Sequence, residues 1–231
     1  MTVMVIHHRI PDSTVTRIGA VSWIVGAGIF VLGNIIAQLA WNTPYSLRNN
    51  NISDLGNVSC GNTDPVDNPP VRYICSPAHT LFNGAIVVAA LLVLLGVLLT
   101  AQAWGRGRAS VTARVLIGIG ACGYLLAALW PADVDLNMHV LGALFIMVGG
   151  NIGLLVAGVA FGRGPLRALK VPTLVIGTLA FAGTIVHFGD NYFGLGMGGA
   201  ERIAVFSLQV WLAMTATVIL RGVAQRAEFR R

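Results

Sequence analysis

Six long apolar runs divide the chain, at about 17–41, 78–104, 114–131, 138–162, 171–189 and 202–221. Each is continuous, far longer than a strand, and free of the period-two alternation of a half-buried strand. In a helix, about 20 apolar residues cross the roughly 30 Å hydrocarbon core of a bilayer. The runs predict an all-α integral membrane six-helix bundle, a single transmembrane domain spanning residues 1–231. The third and fifth runs are short and reach both interfaces only with help from Pro131 and the His187 region. The first run exceeds the apolar stretch of a signal peptide, and Ala37-Gln38-Leu39-Ala40 has the wrong spacing for cleavage; it is expected to remain as a helix.

The polar segments between the runs set the expected orientation. Arg9, Arg17, Arg106, Arg108, Arg114, Arg163, Arg167, Lys170, Arg221, Arg226, Arg230 and Arg231 flank one side of the spans, against Arg48, Arg72 and Arg202 on the other. The positive-inside rule puts the larger set, and both termini, in the cytoplasm of a multi-pass cell-membrane protein. Only 10% of residues are charged, against roughly 25% in soluble domains. The net charge of +6 is scattered in short connections without interleaved aromatics, which argues against nucleic acid as a partner. The lipid bilayer is the expected partner, and an oligomer of like or unlike chains is left open.

The connection from about 42 to 76 is long and rich in Asn, Pro and Asp, and it holds Cys60 and Cys75. Outside the cytoplasm this pair is expected to form a disulfide, worth about 3 kcal/mol for a loop of this length. Cys122, within span three, reads as a small hydrophobe. Gly149-x-x-x-Gly153 and Gly158-x-x-x-Gly162 on span four allow close helix approach, either within the chain or along a dimer seam. Gly194-x-Gly196-x-x-Gly199 spells a dinucleotide fingerprint but lacks the preceding strand. It reads as a flexible lead-in to span six.

Polar side chains within spans are costly and tend to mark function. Asn34, Gln38 and Asn42 share one face of span one, rising to its outer end. His79 and Asn83 open span two. Asp133, Asp135 and Asn137 precede His139 at the start of span four. His187, Asp190 and Asn191 close span five, and Glu201 and Arg202 open span six. His7 and His8 lie in the N-terminal tail and carry no functional reading. Five spans thus bring polar groups to one outer level, which predicts a polar pocket open to the outside. His79, His139 and His187 with neighbouring carboxylates would suit zinc with a free position for water. Structural, pH-sensing and metal-free acid–base roles remain open for the three. Haem fits poorly, because they lie near one surface and not across a ring from each other.

Asn50-Asn51-Ile52-Ser53-Asp54-Leu55-Gly56 resembles the signature of the DUF998 family of prokaryotic membrane proteins. Trp130-Pro131-x-Asp133, His139 and Gly199-x-Glu201-Arg202 extend the resemblance along most of the chain. More distantly, the Ile-Ser-Asp segment is similar to the Frag1/DRAM/Sfk1 group of six-span proteins, which includes a lipid-remodelling factor. Ser76-x-x-His79 is similar to an element of the CREST membrane hydrolases, which have seven spans and a His-x-x-x-His pair that this chain lacks. The resemblance supports the fold and the place of the site; the functional reading is an outward-open polar site in the outer leaflet for a lipid or lipid-linked head group. Asp54, Asp133 and Glu201 would do acid–base work of a hydrolase kind. Asn34, Gln38, Asn83 and Arg202 would orient the head group. The other readings are a non-enzymatic membrane subunit or sensor, and a small transporter using Asn151 on an inward path.

Overall fold

The computed structural model describes residues 14–63, 71–162, 164–189 and 191–228. Of the residues named above, His7, His8, Arg9, Arg163, Asp190, Arg230 and Arg231 lie outside the described residues. Among the described residues, six helices are long and apolar enough to cross a membrane. They are α1 (Thr14–Leu39), α2 (His79–Leu99), α3 (Arg108–Leu129), α4 (Leu136–Ala160), α5 (Lys170–Phe188) and α6 (Gly196–Glu228). Lipid offers no partner to a bare backbone, so every span closes its hydrogen bonds internally. Within α4, Phe145–Gly150 widens to a π-helical stretch.

Each helix packs on its sequence neighbours, and α1 closes the ring against α6. Small residues set the spacing. Gly19, Gly26 and Gly33 recur every seven residues along the face of α1 that meets α2; a Cβ at Gly33 would come within 2.7 Å of Ala85 Cβ. A seven-residue repeat keeps a left-handed seam in register. Between α3 and α4, a Cβ on Gly123 would meet the Gly142 carbonyl oxygen at 2.5 Å. The paired glycines of α4 are used inside the molecule: Gly149 and Gly153 face Ile119 and Ile117 of α3, and Gly158 faces Leu174 of α5.

One end of the bundle carries Arg17, Arg106, Arg108, Arg114, Arg167, Lys170 and Arg221; Arg48, Arg72 and Arg202 lie at the other, the loop end. Toward the basic end, Trp23, Trp104, Phe161 and Trp211 form a fully buried aromatic cluster, with ring centroids 5.3–6.3 Å apart. Their indole N–H groups are satisfied by the Val93 carbonyl, Thr100 Oγ1 and Thr173 Oγ1. In the middle, Asn151 Nδ2 donates to the Ala180 and Ala204 carbonyls and to Thr184 Oγ1, tying α4 to α5 and α6. Asn151 is spent on packing and lines no inward path.

The connection between α1 and α2 folds back over the loop end. A 3-10 turn, Ser53–Gly56, lies over the helix ends. Beyond it, β1 (Gly61–Asn62) pairs antiparallel with β2 (Tyr73–Ile74), and the Cys60–Cys75 disulfide closes the hairpin at its base. Cys122 is a free thiol, exposed on α3.

Candidate functional site

The Ser53–Gly56 turn is a short stretch of loop backbone over an apolar bundle, so its polar groups need partners. Helix ends and the loop itself supply them. Ser76 Oγ donates to the Leu55 carbonyl at 2.7 Å, and Asn83 Nδ2 to the Gly56 carbonyl at 2.9 Å. The buried Glu201 carboxylate accepts from the Ile52 N–H. Asp54 Oδ2 accepts from the Asn51 N–H and from Asn50 Nδ2, and the carboxylate pairs with Arg72 at 3.3 Å. Burial pushes the Asp54 carboxyl above the ordinary carboxylate range, while the Arg72 guanidinium and the Asn50 and Asn51 bonds oppose that shift.

A second clamp holds the loop's first half to α6. Arg202 Nη1 donates to the Leu47, Asn50 and Gly198 carbonyls, and Nη2 to the Tyr45 hydroxyl. The guanidinium also lies 5.5 Å from the Tyr45 ring centroid. Tyr45 Oη donates in turn to the Asn51 carbonyl. Burial raises the Tyr45 phenol, against the lowering pull of Arg202. The glycines ahead of α6 serve this docking. Gly196 holds φ at +74°, and the Arg48 and Asn50 carbonyls close onto the space a Cβ would need at Gly196 and Gly198. The Gly198 N–H donates to the Arg48 carbonyl at 2.9 Å. The segment expected to be a flexible lead-in is a fitted seat for the loop.

Beneath the turn lies a cavity of about 60 Å³. Phe30, Phe82, Ile86, Ile146, Met147 and Val205 give it apolar walls. Ser53, Asn83, Tyr124, His139 and Glu201 are its polar lining. His139 Nδ1 is 3.1 Å from both the Ala127 and Trp130 carbonyls. Both partners are acceptors, so Nδ1 carries the proton and Nε2 is left as a lone-pair acceptor. Below the cavity, Tyr124 Oη donates to the Val205 carbonyl and accepts from Gln209 Nε2. Gln209 Oε1 is buried without a protein partner.

The site expected from the sequence is thus brought together only in part. Asn83, His139 and Glu201 meet at the cavity. Asp54 is buried in the loop mount, and Asp133 accepts from the Val58 and Ser59 N–H groups at 3.1 and 2.7 Å. Arg202 donates through Nη1 and Nη2 to the loop and to Gly198, and it does not line the cavity. Asn34 is buried but donates to its own helix at Phe30, and neither it nor Gln38 lines the cavity; Phe30 is the residue α1 contributes. The three histidines do not converge. His79 Nδ1 bonds to the Ser76 carbonyl and His187 Nδ1 to the Met197 carbonyl, each at its own helix end. Among the described residues, no three His, Cys, Asp or Glu side chains gather in a way that would hold a metal ion.

Tyr45, Arg72 and Tyr124 join the site without being expected there from the sequence, and Ser76 was singled out only for its spacing to His79. Arg72 had a signal, as one of only three basic residues on the loop side. The other three donate to backbone carbonyls, which leave no mark in a sequence. A family model described as "Protein of unknown function (DUF998)" matches residues 24–218. No curated protein and no solved structure matches the chain.

Proposed function

The chain belongs to the DUF998 family, and on that premise we propose that its loop-end cavity binds part of a lipid or lipid-linked head group from the outer leaflet. The loop end faces out and both termini face the cytoplasm of the cell membrane; the basic residues at the opposite end and the oxidised Cys60–Cys75 pair support this orientation. The observation that carries the reading is one mainly apolar cavity lined by both His139, whose Nδ1 is held by two backbone carbonyls, and the buried Glu201. At about 60 Å³, the cavity has room for a few waters. It accepts the tip of a group, such as an ester carbonyl or a hydroxyl, and not a whole head group. A ligand hydroxyl would donate to His139 Nε2, and Asn83 and Ser53 would flank it.

The fixed tautomer of His139 also supports a second reading, hydrolysis of an ester. A water oxygen would bond to the acyl carbon, Nε2 would take the water proton, and that proton would then pass to the departing alkoxide oxygen. Asp54, Asp133 and Arg202 support either reading as positioning residues for the loop. Transport is the weaker alternative, because the aromatic cluster and the Asn151 tie fill the path toward the basic end.

The test uses purified full chain examined by native mass spectrometry for retained lipid, beside His139→Gln and Glu201→Gln variants. We expect retained lipid in the parent and loss of roughly tenfold or more in each variant, since an unpaired polar group in a buried site costs about 1–3 kcal/mol. Unchanged retention in both variants would refute the site. Turnover of a bound ester by the parent and not by His139→Gln would favour hydrolysis over binding alone.

A further inference from the structure

We propose that a second site, at the basic end, holds the phosphate of an anionic phospholipid from the cytoplasmic leaflet. It goes beyond the outer-leaflet reading and shares no residue with it. Two separate connections, α2 to α3 and α4 to α5, converge on one recess of about 520 Å³. Arg106 and Arg108 come from the first, and Lys170 from the start of α5. The positive-inside rule asks only for cations near helix ends; it does not ask three of them to line one recess. Among the described residues, no carboxylate pairs with any of the three.

The recess also has the two-part character a lipid requires. Another wall is Val159 and Ala160 of α4, and Val159 is 64% exposed, leaving apolar surface for an acyl chain. Its floor is the first turn of α3. Gly107, at φ +129°, has no side chain to cap that helix, so the start of α3 adds its partial positive charge to that of the three cations. Ser110 is turned inward, donating to the Trp104 carbonyl at 3.2 Å, and ties the recess floor to the aromatic cluster. A phosphodiester between the cations, with its chains against Val159, matches both halves. Basic pockets between spans on the cytoplasmic side are a recurrent site for anionic head groups.

The experiment measures lipid binding to purified full chain by native mass spectrometry, with phosphatidylglycerol, phosphatidylcholine and inorganic phosphate as probes. Neutralising the recess (Arg106→Gln, Arg108→Gln and Lys170→Gln together) should weaken phosphatidylglycerol binding roughly a hundredfold, at about fivefold per charge. A matched control at the same end but outside the recess (Arg17→Gln, Arg167→Gln and Arg221→Gln) should lose no more than about threefold, because screening limits more distant charges. Should the triple variant not fold, Arg108→Gln and Lys170→Gln singly are each expected to lose about fivefold. Equal losses in recess and control variants would overturn the proposal, as would equal binding of phosphatidylcholine. Inorganic phosphate displacing the lipid at similar concentration would assign the recess to a free anion and overturn it as a lipid site.

Discussion

Replacing Arg72 with Met tests how the loop is held. Met keeps the apolar stem and removes the guanidinium that faces Asp54 at 3.3 Å. The two side chains are only 9% and 4% exposed, so water does little to screen the pair. Removing one partner of such a pair costs about 3–5 kcal/mol, because a charge is stranded. Loop opening should therefore rise between about a hundredfold and a few thousandfold. The effect should depend on pH. Burial already holds Asp54 above its ordinary value in the folded protein. A group with a raised folded value contributes its stability below its unfolded value, and that contribution fades as pH rises through the folded value. Taking away Arg72 removes the largest opposing influence and pushes the folded value higher. The penalty in Arg72→Met should accordingly be smallest near pH 4, the ordinary carboxylate range, and grow toward neutral pH and above. Adding Asp54→Asn should recover most of it. Hydrogen exchange over residues 50–56, corrected for intrinsic rates, reads the opening free energy directly. A cost that does not vary with pH, or that survives Asp54→Asn, would refute the view of Asp54 as a buried anchor balanced by Arg72.

Three further outcomes are expected. Gly123→Ala should lower thermal stability by about 1–3 kcal/mol, because α3 and α4 cannot part locally; Gly28→Ala, with nothing within 4 Å, should be neutral or slightly stabilising, and equal melting of the two variants would undo the packing argument. In a background lacking Cys122, Asn49→Cys should react with an impermeant thiol reagent on intact cells and Ala168→Cys only after permeabilisation; the reverse pattern would invert the orientation. Reducing Cys60–Cys75 should speed protease cutting within residues 61–74 while leaving the helices intact, and unchanged cutting would show that the disulfide does not hold the hairpin.

Much of the fold was legible because a bilayer imposes a simple demand: about 20 apolar residues per crossing, closed into helices. The six runs and the Cys60–Cys75 pair therefore translate directly into structure. The site was less legible, and Asn34 shows why. Spacing placed Asn34 and Gln38 on one face of a helix, but spacing alone does not say which face looks inward or at what. Asp133 and Arg202 were read as chemistry because they are charged groups beside a presumed pocket. Their partners are carbonyls and N–H groups of the loop, up to 155 residues away, and backbone groups leave no mark in a sequence. The seven-residue glycine stripe of α1 was legible and overlooked, being hidden among glycines that also populate the other helices.

The way the loop is mounted has a consequence for biosynthesis. The loop leaves the ribosome directly after α1, yet Glu201, which receives the Ile52 N–H, lies 149 residues later, and Asp133, which receives Ser59, lies 74 later. The Asn50–Gly56 segment cannot be seated until α6 has been inserted and brought back against α1. Until then the Ile52 N–H lacks its carboxylate partner, while the bonds of Asp54 to Asn50, Asn51 and Arg72, those of Ser76 and Asn83 to the turn, and the Cys60–Cys75 disulfide use residues already made. Translation order thus separates a bundle that assembles neighbour by neighbour from a loop end whose last contacts wait for α6. A truncation before α6 would leave five spans in the membrane with the turn unseated, and a quality-control protease would have an open loop to find.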